Sequence, residues 1–122
     1  MSTVTSSAPT RSSSSIDAAA PLRPLPGGSP IATGVAAASA HLRAAGVEPQ
    51  AWSNGPGDRY AAHEHAFTKL LVCAEGSITF LIGAEEEPVE LSAGDGFELP
   101  PRTTHAAIVG PAGCTCVEGH RR

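Results

Sequence analysis

From residue 51 onward the chain breaks into short segments of apolar and β-branched residues, and Gly, Pro, Asn and Asp interrupt them at close intervals. Such segments read as strands. They are Ala51–Ser53, Arg59–His65, Phe67–Ala74, Ser77–Ile82, Val89–Leu91, Gly96–Leu99, His105–Val109 and Cys114–Glu118. The turns between them include Asn54-Gly55-Pro56-Gly57, Glu75-Gly76, Ala93-Gly94-Asp95-Gly96, Pro100-Pro101 and Gly110-Pro111-Ala112-Gly113. Strands spaced by turn chemistry, with little helix between them, predict an all-β antiparallel sandwich or barrel. Ahead of them lies an Ala-rich stretch with Val35, Leu42 and Val47 among small residues and Gly46 placed as a C-cap. It predicts one short helix, from about Thr33 to Ala45.

Residues 1–30 differ in kind. Ser, Thr, Ala, Pro and Gly fill 22 of those 30 positions. A segment so poor in apolar surface does not offset its ordering entropy, so a disordered leader is expected there, followed by a single domain over 31–122 with its barrel over about 51–119. Ser and Thr interrupt every apolar run a secretory signal would need, and Arg11 and Arg23 supply little charge for a transit peptide. An untargeted, cytoplasmic protein is expected, with Cys73, Cys114 and Cys116 reduced.

The net charge of −4 on 122 residues lacks the basic surplus of a nucleic-acid or anionic-lipid binder, so neither partner is expected. No window approaches the roughly 18 apolar residues of a membrane helix. About 90 structured residues make a thin barrel with exposed edges, for which a homodimer is the ordinary remedy.

Three of the five histidines carry the candidate chemistry. His63 and His65 are two apart, so on a strand they leave the same face with α-carbons roughly 6.5–7 Å apart. That separation lets both converge on one ion at about 2.0–2.2 Å. His105 begins another strand after the Pro100-Pro101 corner. Two histidines on one strand and a third on a distant strand is how a sheet builds a facial metal site, although an H-x-H pair alone also arises by chance on exposed strands.

The residues around them add a framework. Gly57, five residues, His63-Glu64-His65, three residues, Lys69, six residues and Gly76 resemble the first signature of the cupin family, G-x5-H-x-H-x3,4-E-x6-G. Gly94, five residues, Pro100, one residue, Arg102, two residues and His105 resemble the second, G-x5-P-x-G-x2-H-x3-N. The resemblance spans about residues 52–119. It implies a double-stranded β-helix, the jelly-roll cupin barrel, with a site inside and His63, His65 and His105 as metal-ligand candidates.

Three positions depart from that pattern: Lys69 stands where the family has a Glu ligand, Arg102 where it has Gly, and Val109 where it has Asn. An ammonium cannot ligate a metal. By alternation Lys69 should point inward with Leu71 and Cys73, and Glu118 on the last strand is a candidate ion-pair partner. It is the chain's only lysine, which suggests that a compact or titratable amine is wanted there. Lys69 is therefore the tentative catalytic residue, attracting an anionic group or moving a proton.

Two functions follow. One is a metal-dependent oxygenase, isomerase or lyase acting on a small, anionic metabolite, with Fe, Mn, Ni, Cu or Zn on the three imidazoles. The other is a metal-free binding or sensing module that grips a small anion through Lys69 with Arg59 or Arg102. Cys114 and Cys116 share one strand face and, with Cys73, read as small buried apolar residues before soft metal ligands. His41 and His120 need no special role.

Overall fold

The computed structural model describes residues 21–122. In chain order these form β1 (Arg23–Pro24), α1 (Val35–Ala44), β2 (Gln50–Asn54), β3 (Arg59–His63), β4 (Thr68–Ile82), β5 (Glu87–Ser92), β6 (Gly96–Leu99) and β7 (His105–Arg121). All strand pairs are antiparallel.

The spine is the long pairing of β4 with β7, from Thr68 opposite Arg121 to Ile82 opposite His105. Short strands flank each half. The first half of β4 takes β6 and its second half takes β5. The first half of β7 takes β3 and its second half takes β2. The sheet therefore curls into a double-stranded β-helix with an apolar interior that includes Leu71, Ile78, Phe80, Val89, Leu91 and Phe97. Outside it, Ala38 and Leu42 of α1 cover Leu70, Val72 and Val117. The run Leu70–Ala74 is buried at every residue, because its alternate side chains enter the barrel and the helix contact in turn.

Two pairs of predicted strands are in fact continuous. The segments over 67–74 and 77–82 form one β4, and those over 105–109 and 114–118 form one β7. The turn residues between them bend the ladder instead of ending it. Gly76 takes φ +75° and Gly113 φ +79°, and the β4–β7 register shifts between Cys73 and Glu75 and again between Gly76 and Ile78. A Cβ on Gly76 would lie 2.0 Å from the Gly113 carbonyl oxygen. Only a residue without a side chain lets both strands turn this corner in contact.

The leader expected over 1–30 lies outside the described residues as far as residue 20. Its last ten residues belong to the fold: Arg23 and Pro24 pair with Glu98 and Phe97, and Leu22 and Leu25 are buried. Two leucines among prolines suffice here because β1 is an edge strand, where a missing N–H costs the ladder little. The helix and its Gly46 terminus, at φ +90°, lie where the pattern placed them. Among the described residues no helix is long and apolar enough to cross a membrane.

Candidate metal centre

His63 closes β3 and His105 opens β7, and the antiparallel register sets them opposite one another. His65 follows just beyond the end of β3, so the strand expected over 59–65 stops at His63. The three rings nevertheless meet. Their centroids are 4.3 Å apart for His63 and His105, 4.9 Å for His63 and His65, and 5.2 Å for His65 and His105. One ligating nitrogen from each lies within 4.8 Å of the other two.

Hydrogen bonds set the tautomers. His105 is 2% exposed, and its Nδ1 sits 2.9 Å from the Thr103 carbonyl oxygen. A carbonyl only accepts, so Nδ1 carries the proton and donates. The His63 Nδ1 donates in the same way to the Ala61 carbonyl at 2.7 Å. The Nε2 atoms of His65 and His105 are buried and have no hydrogen-bond partner. Burial, with the neighbouring His63 and Lys69 charges, lowers the His105 pKa to about 4 against the opposing bond to Thr103. Its ring is thus neutral at pH 7, with the Nε2 lone pair free. Burial and then the Lys69 charge lower His65 as well.

A buried, unpaired acceptor costs about 1–3 kcal/mol, and two stand side by side here. His105, neutral, held by a backbone carbonyl through one nitrogen and unpaired at the other, is built as metal ligands commonly are. The donor set fits a divalent transition ion and leaves coordination positions for water or a ligand.

Beside the rings opens a cavity of about 240 Å³ whose walls include Trp52, Tyr60, Lys69, Leu71, Phe80 and Glu118. Lys69 points into it, as alternation predicts, and its Nζ lies 3.3 Å from Glu118 Oε1. The expected ion pair is present. Glu118 also accepts the Trp52 indole N–H at 3.0 Å and a His120 ring N–H at 3.2 Å. Burial pushes the Glu118 carboxyl up, but the Lys69 ammonium and these donors outweigh it and hold it below the ordinary range. Lys69 is therefore charge-balanced and gives the cavity no net positive pull. Neither Arg59 nor Arg102 lines the cavity. Arg102 instead occupies the turn at φ +57°, and its backbone N–H donates to the His65 carbonyl.

One contact escaped the sequence reading. Phe67 stacks between His65 and His120, with centroid distances of 4.8 and 4.1 Å, so His120 backs the site. The available signal was inward alternation along the last strand, Cys116, Glu118, His120.

Comparison with known proteins agrees with this architecture. The family described as AraC-like ligand binding domain matches residues 45–116. No curated protein matches the chain. Among solved structures, an RmlC-like cupin from Shewanella frigidimarina is 22% identical over 61% of this chain and 64% of its own, with TM-score 0.54. DMSP lyase DddQ from Ruegeria pomeroyi is 20% identical over 61% of this chain and 37% of its own, with TM-score 0.56. KdgF from Halomonas sp. is 22% identical over 61% and 68%, with TM-score 0.51. The match thus spans less than two thirds of the first two of these proteins. At such identities they share a fold, the cupin double-stranded β-helix.

Proposed function

The chain belongs to the AraC-like ligand-binding domain family, within the cupin fold, and from that premise we propose that it is a metal-dependent protein acting on a small molecule. His63, His65 and His105 hold one divalent transition ion, and the ligand lies in the adjoining cavity. The observation that carries this reading is the pair of buried, unpartnered Nε2 atoms converging with His63. When bound, the ion supplies a Lewis acid for an oxygen of the ligand.

The chain's own residues do the rest. Trp52, Tyr60, Leu71 and Phe80 provide apolar walls that exclude water and fit a compact organic body. The Lys69 Nζ is the proton carrier, and Glu118 holds it in place through the 3.3 Å pair. Because that pair is neutral overall, attraction for an anionic ligand comes from the metal. A second reading, a metal-free binding module with Lys69 in its pocket, is favoured by the ligand-binding description of the matching family.

Metal-free protein titrated separately with Mn, Fe, Ni, Cu and Zn ions tests the proposal. The natural chain is expected to take one ion of at least one type, with a loss of about 100-fold or more in affinity for His63→Ala and for His105→Gln. Lys69→Met is expected to leave metal affinity within a few-fold. If the natural chain takes none of the ions, or His105→Gln binds as tightly as the natural chain, the three-histidine site is wrong and the metal-free reading stands.

A further inference from the structure

The cavity beside the histidines divides its hydrogen-bonding groups unevenly between donors and acceptors. Glu118 is the carboxylate in its wall, and it is already engaged. Its Oε1 accepts the Trp52 indole N–H at 3.0 Å and faces the Lys69 ammonium at 3.3 Å, one donor for each lone pair of that oxygen. Its Oε2 accepts from His120 at 3.2 Å, and both residues also line a separate cavity with Glu48 and Gln50. Tyr60 gives its hydroxyl proton to Asn54 and stands at the rim, 37% exposed. Ala106 and Ala107 lie within β7, where the ladder pairs them with Leu81 and Phe80 of β4.

Donors remain. An ammonium carries three N–H bonds, and among the described residues Glu118 is the only ion-pair partner of Lys69. The wall therefore offers a ligand the spare Lys69 N–H bonds, an ion on the histidines, and little to receive a proton. Size narrows the ligand further. A volume of about 240 Å³ lies below the ~300–1,000 Å³ that suits drug-sized molecules and equals about eight waters. Charge narrows it again. Three neutral imidazoles leave both charges of a divalent ion uncompensated, and the Lys69–Glu118 pair is neutral as a whole, so one carboxylate on the ion is favourable.

We propose that the cavity selects a compact keto acid, with its carboxylate on the ion, its keto oxygen on the Lys69 Nζ, and its carbons against Leu71 and Phe80. This rests on the three-histidine metal site proposed above and names the class of ligand that site takes. Hydroxy acids and polyols are disfavoured. A hydroxyl in place of the keto oxygen still accepts from Lys69, but its own proton finds no free acceptor in the wall, which costs roughly 10-fold in affinity.

The test is calorimetric titration of the full-length protein, loaded with the ion it takes up and again without metal. The probes are 2-oxobutanoate, 3-oxobutanoate and 4-oxopentanoate, their three hydroxy counterparts, and butanoate. At least one keto acid is expected to bind about 10-fold or more tighter than both its hydroxy counterpart and butanoate. The ratio belongs to the wall, so it is expected with and without the ion, while overall affinity falls when the ion is removed. Trp52→Phe keeps an apolar wall but frees a lone pair on Glu118, so the hydroxy acid should gain and the ratio fall toward one. Lys69→Met should bring the keto acid down to the level of butanoate. Hydroxy acids binding as tightly as keto acids to the metal-loaded chain, a ratio unmoved by both variants, or binding of none of the probes overturns this inference and leaves the metal site standing. A chain that takes no ion overturns the metal site instead, and the ratio measured on the metal-free chain then decides the keto preference by itself.

Discussion

The two ends of the barrel present side chains of opposite character on the same two strands. At the mouth, His105 begins β7 beside an exposed His63, and the Lys69–Glu118 pair keeps 12% and 15% of its side-chain surface in water. At the bend, β7 carries Cys116 opposite Cys73 with neither exposed at all. Alternation aims both sets inward, so direction does not distinguish them. Depth does. Near water the Lys69–Glu118 charges persist as a pair; where burial is nearly complete the uncharged form is favoured, so His105 sheds its proton readily and the thiols stay neutral.

If the corner at Gly76 holds both ends in register, damage there should not be confined to one of them. Gly76→Ala places a Cβ against the Gly113 carbonyl at a positive φ, for which strain and overlap together predict a loss of about 3 kcal/mol or more in unfolding free energy. Denaturant melts read the loss, and histidine and thiol probes should report it together. Independent behaviour at the two ends would break the picture of a shared corner.

Acid should instead act on the mouth. His105, at about 4 when folded, lies below the ordinary value near 6.5. Between those values the unfolded chain binds a proton that the native ring refuses. Stability of the metal-free protein therefore falls as pH drops from about 6.5 toward 4, by up to about 3 kcal/mol in all. Glu118, held low in the fold, adds a loss below the ordinary carboxylate range. A His105→Gln variant should flatten the upper part of this curve; an unchanged slope would show that the ring is not the group responsible.

The smallest expected effect sits in the turn beneath the mouth. Arg102 holds φ +57°, which costs a side-chain-bearing residue about 1–2 kcal/mol, while a glycine there gives back about 0.5–1 in unfolded-state entropy. Arg102→Gly should raise stability by no more than about 1 kcal/mol in thermal melts and leave thiol reactivity at the other end untouched. A large destabilisation would mean that the guanidinium has a role its exposed position does not suggest.

Much of the mouth was legible because its determinants are local. The spacing from Gly57 to His65 and from Gly94 to His105 encodes turns and same-face alternation, and Lys69 with Glu118 followed from inward parity on two strands. The long ladders were not legible, because Gly76 and Gly113 look like strand terminators until their close backbone contact is seen. Leu22 and Leu25 were hidden by the prolines and serines around them. The stack of Phe67 between His65 and His120 joins residues over fifty positions apart; alternation along the last strand turns His120 inward, but which ring it meets is set by the fold.

The Lys69–Glu118 pair also bears on where the pocket keeps its acid. Where the family signature has an acid this chain has Lys69, and an acid is nonetheless in the pocket: Glu118 stands on the neighbouring strand, paired with that amine. Exchanging the two residues as a couple conserves the local sum of charges while moving the oxygen donor from one strand to the other, and either single change on the way leaves a like-charged couple in the pocket.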